Sequence, residues 1–88
     1  MIKDKIFIVT GGGSGIGAQI AKDLVEEGAI VYLFGRRENI LNKQVSNMRK
    51  NKSHQKRIFS IKCDVSSLSE VNEAFSHILK QSGLVYGL

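Results

Sequence analysis

The chain has 88 residues, a net charge of +5, 42% hydrophobic residues and 24% charged residues. This composition is typical of one globular domain and excludes a disordered chain. No stretch of about 18 apolar residues and no signal-peptide core is found, so we expect no membrane span and a cytoplasmic protein. A single cysteine, Cys63, excludes an intramolecular disulfide and a multi-cysteine metal site, and we expect no metal.

The excess positive charge is concentrated in one run, residues 49–57, which holds five basic residues and no acidic residue. Outside this run, basic and acidic residues are equal in number. A basic run can bind nucleic acid, but this one has no aromatic residue for stacking on bases and no neighbouring nucleic-acid motif. We therefore favour a solvated helix end and loop, and expect no nucleic-acid partner.

Short apolar runs alternate with segments of helical periodicity along the chain. Residues 5–10 predict a strand buried on both faces, and a helix that Gly28 ends follows it. The core face of that helix is predicted to hold Ile16, Ile20, Ala21, Leu24 and Val25. A second strand over 29–34 leads to Gly35, and a second helix is predicted over 38–50.

The remaining chain repeats the same alternation. A third strand is predicted over 58–63, and the capping-box pattern Ser67–Glu70 opens a third helix. The core face of the third helix is predicted to hold Leu68, Val71, Phe75, Ile78 and Leu79. A fourth strand begins at 84. The order βαβαβαβ predicts an α/β fold: half of a Rossmann-type doubly wound parallel sheet with strand order 3-2-1-4, spanning 1–88 as one unit.

Glycines are clustered in Thr10–Gly17, between the first strand and the first helix. A phosphate at such a junction meets unpaired N–H groups and the positive end of the helix dipole, and glycines let the backbone approach it closely. Ala18 and Gln19 follow Gly17, so the Lys and Ser/Thr of an ATP-type phosphate loop are absent.

Two dinucleotide patterns fit this cluster, and a flexible turn is the alternative. The general pattern GxGxxG/A passes through Gly13, Gly15 and Ala18. The tighter pattern TGxxxGxG passes through Thr10, Gly11, Gly15 and Gly17. The position between a strand and a helix favours dinucleotide binding.

Charged residues follow the second and third strands. At the end of the second, where NAD-binding folds carry a carboxylate for the ribose, this chain has Arg36 and Arg37. Guanidinium groups can hold a ribose 2′-phosphate, so NADP is favoured over NAD; the alternative is two surface charges opening a helix. Asp64 follows the third strand, where it can accept from the adenine amino group or cap the next helix.

The remaining residues with acid–base or nucleophilic chemistry are predicted to be structural. His54 lies in the basic run and His77 in the third helix, and neither is at a strand end where a ligand would bind. Cys63 is expected to be a small buried residue. No catalytic residue is therefore assigned.

The glycine cluster, Gly35–Arg37 and Cys63–Val65 together resemble the short-chain dehydrogenase/reductase family of the classical type. The resemblance implies that Arg36 and Arg37 meet the 2′-phosphate of NADP and that Asp64 and Val65 line the adenine pocket. The residues it implies for the rest of the cofactor are Gly11, Gly13, Ser14, Gly15, Ile16 and Gly17.

The resemblance also implies an NADP-dependent oxidoreductase acting on a carbonyl, a hydroxyl or an activated double bond of a small molecule. The catalytic Ser, Tyr and Lys of the family are expected after residue 88. The chain is thus expected to be the cofactor-binding portion, inactive alone and a homo-oligomer when complete. A non-catalytic NADP-binding module or an inert remnant is the alternative.

Overall fold

The computed structural model describes residues 3–11, 15–82 and 85–87. Strands and helices alternate along these residues, as the sequence predicts. The elements are β1 (Ile6–Thr10), α1 (Gly15–Glu26), β2 (Ile30–Gly35), α2 (Glu38–Met48), a 3-10 helix (Lys52–His54), β3 (Ile58–Lys62), α3 (Leu68–Ser82) and β4 (Val85–Gly87).

The strands form one parallel sheet in the order β3-β2-β1-β4, which confirms the predicted order. β2 pairs along its length with β1, from Ile30 opposite Ile6 onward, and with β3 up to Lys62 opposite Gly35. Because the strands are parallel, the carboxyl ends of β1, β2 and β3 meet at one edge of the sheet. We call this edge the carboxyl edge.

Helices cover both faces of the sheet, so the predicted Rossmann-type doubly wound architecture is confirmed. Successive residues of β2 face opposite cores, and all of 31–34 are buried. The first core lies under α1 and α2 and contains Val9, Ala21, Val25, Ala29, Val31, Leu33, Leu41, Val45 and Ile58. The second lies under α3 and contains Ile6, Ile8, Tyr32, Phe34, Cys63, Ala74 and Ile78. Burying one such large apolar side chain stabilises the fold by about 1.5–3 kcal/mol.

The predicted core faces of α1 and α3 were too wide. Ile16 is 78% exposed and Ile20 is 48% exposed, although both were predicted to face the core. The buried row of α1 is Gly17, Ala21 and Val25, a spacing of four whose small residues bring the helix close to the sheet. Ile16 and Ile20 lie beside this row, so they miss the sheet.

The same correction applies to α3. Leu68 is 75% exposed and Leu79 is 47% exposed, whereas both were predicted on the core face. Leu68 is the first residue of α3, ahead of the part of the helix that meets the sheet at Ala74 and Ile78. Periodicity predicts which residues form the apolar face of a helix, but it does not show how much of that face the sheet covers.

A cluster of polar contacts holds the amino ends of the strands together. Gly28 ends α1 with φ +91°, as predicted, and its N–H donates to the Val25 carbonyl at 2.9 Å. The Gly28 carbonyl accepts from the Asp4 N–H at 2.9 Å and from Arg57 Nη1 at 2.6 Å. The same Nη1 donates to Asp4 Oδ1 at 2.7 Å. We call these residues the Asp4–Gly28–Arg57 cluster.

The basic run forms the end of α2 and the loop that precedes β3, as predicted. Arg49 is the C-cap residue of α2 and donates from Nη2 to the Ile58 carbonyl at 2.7 Å. Arg57 belongs to the Asp4–Gly28–Arg57 cluster. Two cations of the run are thus engaged by the protein's own groups, while Lys50, Lys52 and Lys56 are exposed.

Candidate functional site

The carboxyl edge brings together the residues that follow β1, β2 and β3. Gly11 follows β1, Arg36 follows β2, and Asp64 stands two positions after the last residue of β3. The N–H of Cys63 donates to the Gly35 carbonyl at 2.8 Å, which joins the chain ends of β2 and β3. Ligands of doubly wound sheets bind outside the carboxyl ends of the strands, so this edge is the candidate site.

The described residues on either side of the β1–α1 connection, Gly11 and those from Gly15 onward, fit a phosphate site. Gly11 has φ +70°, a conformation that side chains other than glycine rarely adopt. A Cβ added to Gly15, the first residue of α1, would meet nothing within 4 Å. The first turn of α1 holds no acidic residue, so no carboxylate there opposes an anion at the positive end of the helix dipole. Exposed Ile16 belongs to this turn, whereas Gly17 is buried. The predicted residues Gly13 and Ser14 lie outside the described residues.

The end of β2 presents two exposed arginines. Arg37 is the N-cap residue of α2 and makes no side-chain cap; its carbonyl accepts from the N–H groups of Ile40 and Leu41 at 3.1 Å. The backbone of Arg37 therefore opens α2, as predicted by the alternative interpretation of Arg36 and Arg37 as surface charges at a helix start. Neither guanidinium has a hydrogen-bond or ion-pair partner within the described part of the chain.

Gly35 allows α2 to approach the end of β2. A Cβ at this position would lie 3.2 Å from Leu41 Cδ2, tighter than ordinary van der Waals contact. A larger residue at position 35 would therefore require the Leu41 side chain to shift by a few tenths of an ångström. The sequence marked Gly35 only as the end of a strand, and its packing role depends on the position of Leu41, which no local pattern shows.

Asp64 is fixed in a turn at the end of β3. Its Oδ1 accepts from the Ser66 N–H at 2.9 Å and from Ser66 Oγ at 2.6 Å. These hydrogen bonds, and secondarily the charge of nearby Arg36, hold the pKa of the Asp64 carboxyl below its ordinary value. The carboxylate is thus charged at neutral pH, and its Oδ2 receives no hydrogen bond from the described residues.

The cap of α3 is made by Ser67 and not by Asp64, so the alternative in which Asp64 caps this helix was wrong. Ser67 Oγ accepts from the Glu70 N–H at 3.4 Å, which is half of the predicted capping box. In the other half, Glu70 Oε1 accepts from the Asp64 N–H at 3.2 Å and not from the cap residue. Glu70 therefore ties α3 to the turn that holds Asp64, a role that the sequence analysis missed. Val65, next to Asp64, is 53% exposed.

Neither histidine follows a strand, and the cysteine is buried. His54 is half-buried in the 3-10 helix that precedes β3, and His77 is exposed on α3. Cys63 is 1% exposed, as predicted, and burial raises the pKa of its thiol, helped by the charges of Glu70 and Asp64. A protonated buried thiol is a poor nucleophile.

Within the residues described, no group of three or more His, Cys, Asp and Glu side chains is placed to hold a metal ion. The helices seen in those same ranges are too short or too polar to cross a membrane.

The parallel sheet and its two helix-covered faces define a Rossmann-type α/β domain. The family model for short chain dehydrogenase matches residues 5–88. Ipsdienol dehydrogenase of Ips pini is 37% identical over 87 residues, covering 99% of this chain and 30% of that protein. The chain therefore belongs to the short-chain dehydrogenase family, as its motifs predicted.

Solved structures show the same relationship. Actinorhodin polyketide ketoreductase with NADPH has a TM-score of 0.83 and 29% identity, covering 93% of this chain and 30% of its own. L-Sorbose reductase from Gluconobacter frateurii, complexed with NADPH and L-sorbose, has a TM-score of 0.84 and 25% identity, covering 96% and 31%. The chain spans 26% to 34% of the length of eight curated relatives.

Proposed function

We propose that this chain is the cofactor-binding portion of an oxidoreductase that uses NADP in preference to NAD. The proposal rests on the exposed guanidinium of Arg36 at the carboxyl end of β2, which has no partner among the described residues. A carboxylate at this position would bond the ribose hydroxyls of NAD and repel a 2′-phosphate. A guanidinium binds the phosphate with two parallel hydrogen bonds. The names of two similar structures include NADPH, in keeping with this choice.

The rest of the cofactor would lie along the carboxyl edge on both sides of Arg36. Arg37 is the second candidate for the 2′-phosphate. The pyrophosphate would lie over the turn into α1, where the open space at Gly15 admits an oxygen atom close to the backbone. The residues proposed for this contact are Gly11, Gly13, Ser14, Gly15, Ile16 and Gly17.

The adenine ring would lie beside the turn after β3. Asp64 uses Oδ1 for its own turn, which leaves Oδ2 to accept from the adenine amino group. Exposed Val65 offers an apolar surface to the ring. When bound, the cofactor supplies a hydride to a carbonyl or activated double bond, or accepts one from an alcohol.

No catalytic residue is proposed within residues 1–88. The acid–base groups for a small-molecule substrate would come from a further part of a cytoplasmic, homo-oligomeric enzyme. A protein that binds NADPH but turns over no carbonyl or alcohol substrate would instead be a cofactor-binding module. A turnover assay with NADPH and a panel of both substrate classes distinguishes these two functions.

Cofactor preference is tested by titrating the purified protein with NADPH and NADH and following nucleotide fluorescence. We expect NADPH to bind more tightly by about 10-fold or more, the ratio that one charged hydrogen-bonded pair supplies. Arg36→Asp should lose this preference, while Lys43→Asp, the same charge change on an exposed residue of α2, should keep it. Equal affinities of the parent protein for both nucleotides would refute the choice of NADP.

A further inference from the structure

β3 is the outer strand of the sheet, with β2 on one side only. In the ladder to β2, the Val31 N–H donates to the Arg57 carbonyl and the Cys63 N–H donates to the Gly35 carbonyl. Since parallel ladders use alternate residues of each strand, the backbone polar groups of Ile58 and Ser60 point away from β2. A row of backbone groups that the neighbouring strand does not bind is a template for a further strand.

Arg49 covers the first of these groups. It reaches back from the C-terminal end of α2, and its Nε and Nη2 donate to the Ile58 carbonyl at 3.2 Å and 2.7 Å. One guanidinium therefore supplies to this carbonyl the donor that a neighbouring strand would otherwise provide.

The side chain of Arg49 also bends around the edge of the sheet. Ile58 belongs to the core under α1 and α2, whereas Phe59 packs against the core on the other face. The guanidinium carbon of Arg49 lies 5.4 Å from the centre of the Phe59 ring, and that ring stacks on Tyr32 at 5.2 Å. An arginine that starts on one face and ends against a ring of the other occupies the space beside β3.

We propose that Arg49 closes the β3 edge against strand addition, and that the strand it excludes is β3 of a second copy of this chain. The strand is suited to self-pairing because Ile58, Phe59 and Ile61 are β-branched or aromatic. A twofold axis beside β3 would place the free polar groups of both copies opposite each other. The exposed Lys56 and Lys62 at the two ends of β3 repel a second copy, so the pairing should strengthen with salt.

The test compares Arg49→Ala with Lys50→Ala in the intact protein. Lys50 is the next residue, is exposed, and gives the same charge change. Sedimentation velocity over a concentration series should show a dimer dissociation constant lower by about 10-fold in Arg49→Ala. The Ser60 amide should become protected from hydrogen exchange as concentration rises. Lys50→Ala and the parent should show neither change.

Either of two results would overturn the proposal. One is association of Arg49→Ala equal to that of Lys50→Ala at both low and high salt. The other is stronger association with no added protection of the Ser60 amide, since another surface would then be responsible. Should Arg49→Ala lose its circular-dichroism signal, Arg49→Lys replaces it with the same readouts, because an ammonium cannot both lie flat on Phe59 and bond Ile58 with two donors.

Discussion

Arg57 and Asp4 are 53 positions apart in the chain, and Arg57 Nη1 donates to Asp4 Oδ1 at 2.7 Å. The same nitrogen donates to the Gly28 carbonyl at 2.6 Å. Arg57 precedes β3, Asp4 precedes β1 and Gly28 precedes β2. One guanidinium therefore fixes the starting points of three parallel strands relative to each other.

Loss of Arg57 should destabilise the whole fold. We expect Arg57→Ala to lower the free energy of unfolding by about 1–2 kcal/mol, because the Gly28 carbonyl loses a charged donor. Lys56→Ala, which removes the same charge from an exposed neighbour, should change it little. Urea denaturation of both variants measures the difference, and equal midpoints would show that the cluster adds no stability.

The contribution of Asp4 should depend on pH in the acid range. The hydrogen bond from Arg57 lowers the pKa of the Asp4 carboxyl. Its stabilisation is therefore complete above the unfolded value of about 3.9 and is lost as pH falls through the lower folded value. Asp4 has φ +63°, which asparagine also tolerates. Asp4→Asn should lower the urea midpoint at pH 7, and the difference from the parent should vanish in strong acid.

Two glycines should respond to alanine in opposite ways. Gly28 has φ +91°, and an added Cβ would lie 3.2 Å from Lys3 Cγ, so Gly28→Ala should destabilise the fold by more than about 1 kcal/mol.

In Gly15→Ala the added Cβ meets open space. This variant should leave the melting temperature unchanged or higher, yet weaken NADPH binding at least about 10-fold. Unchanged NADPH affinity in Gly15→Ala would place the pyrophosphate elsewhere.

Asp64 should contribute equally to the binding of NADPH and NADH. Asn at this position can still accept from Ser66, but its amide then directs a donor at the adenine amino group. We therefore expect Asp64→Asn to weaken NADPH and NADH binding by a similar factor of about 10. Isothermal titration with both nucleotides separates this effect from that of Arg36→Asp, which should weaken the binding of NADPH but not that of NADH.

Cys63 should resist modification while the protein is folded. Its thiol is 1% exposed, and burial raises its pKa, so little thiolate forms near pH 8 and the reagent has no access. Iodoacetamide labelling followed by mass should be slow in buffer and fast in urea. Rapid labelling of the folded protein would show that the β3 end opens.

Most of the sheet could be predicted because its strands carry two-sided apolar runs and its turns carry glycines with a required backbone conformation. The exposure of Ile16 and Leu68 could not, because periodicity marks an apolar arc without showing which neighbour covers it. The roles of Arg49 and Arg57 could not either. Both bind backbone carbonyls of residues brought near by the fold, and a carbonyl is present at every position in a sequence.

The candidate site follows the same division. The position of Arg36 and Asp64 at one edge could be predicted because parallel strands bring their carboxyl ends together, which the order of elements already implies. The position of Asp64 is fixed by hydrogen bonds to Ser66 and Glu70. The Asp64–Ser66 spacing is a local turn signal, whereas the bond from Glu70 needs the position of α3.

The Asp4–Gly28–Arg57 cluster lies at one end of the sheet, and the residues proposed to choose the nucleotide lie at the other. Arg36 and Arg37 are exposed and have no hydrogen-bond or ion-pair partner among the described residues. Substitutions there leave the Asp4–Gly28–Arg57 cluster and both cores untouched. With Arg36 and Arg37 in their proposed role, a change of coenzyme by one or two substitutions should need no prior gain in stability.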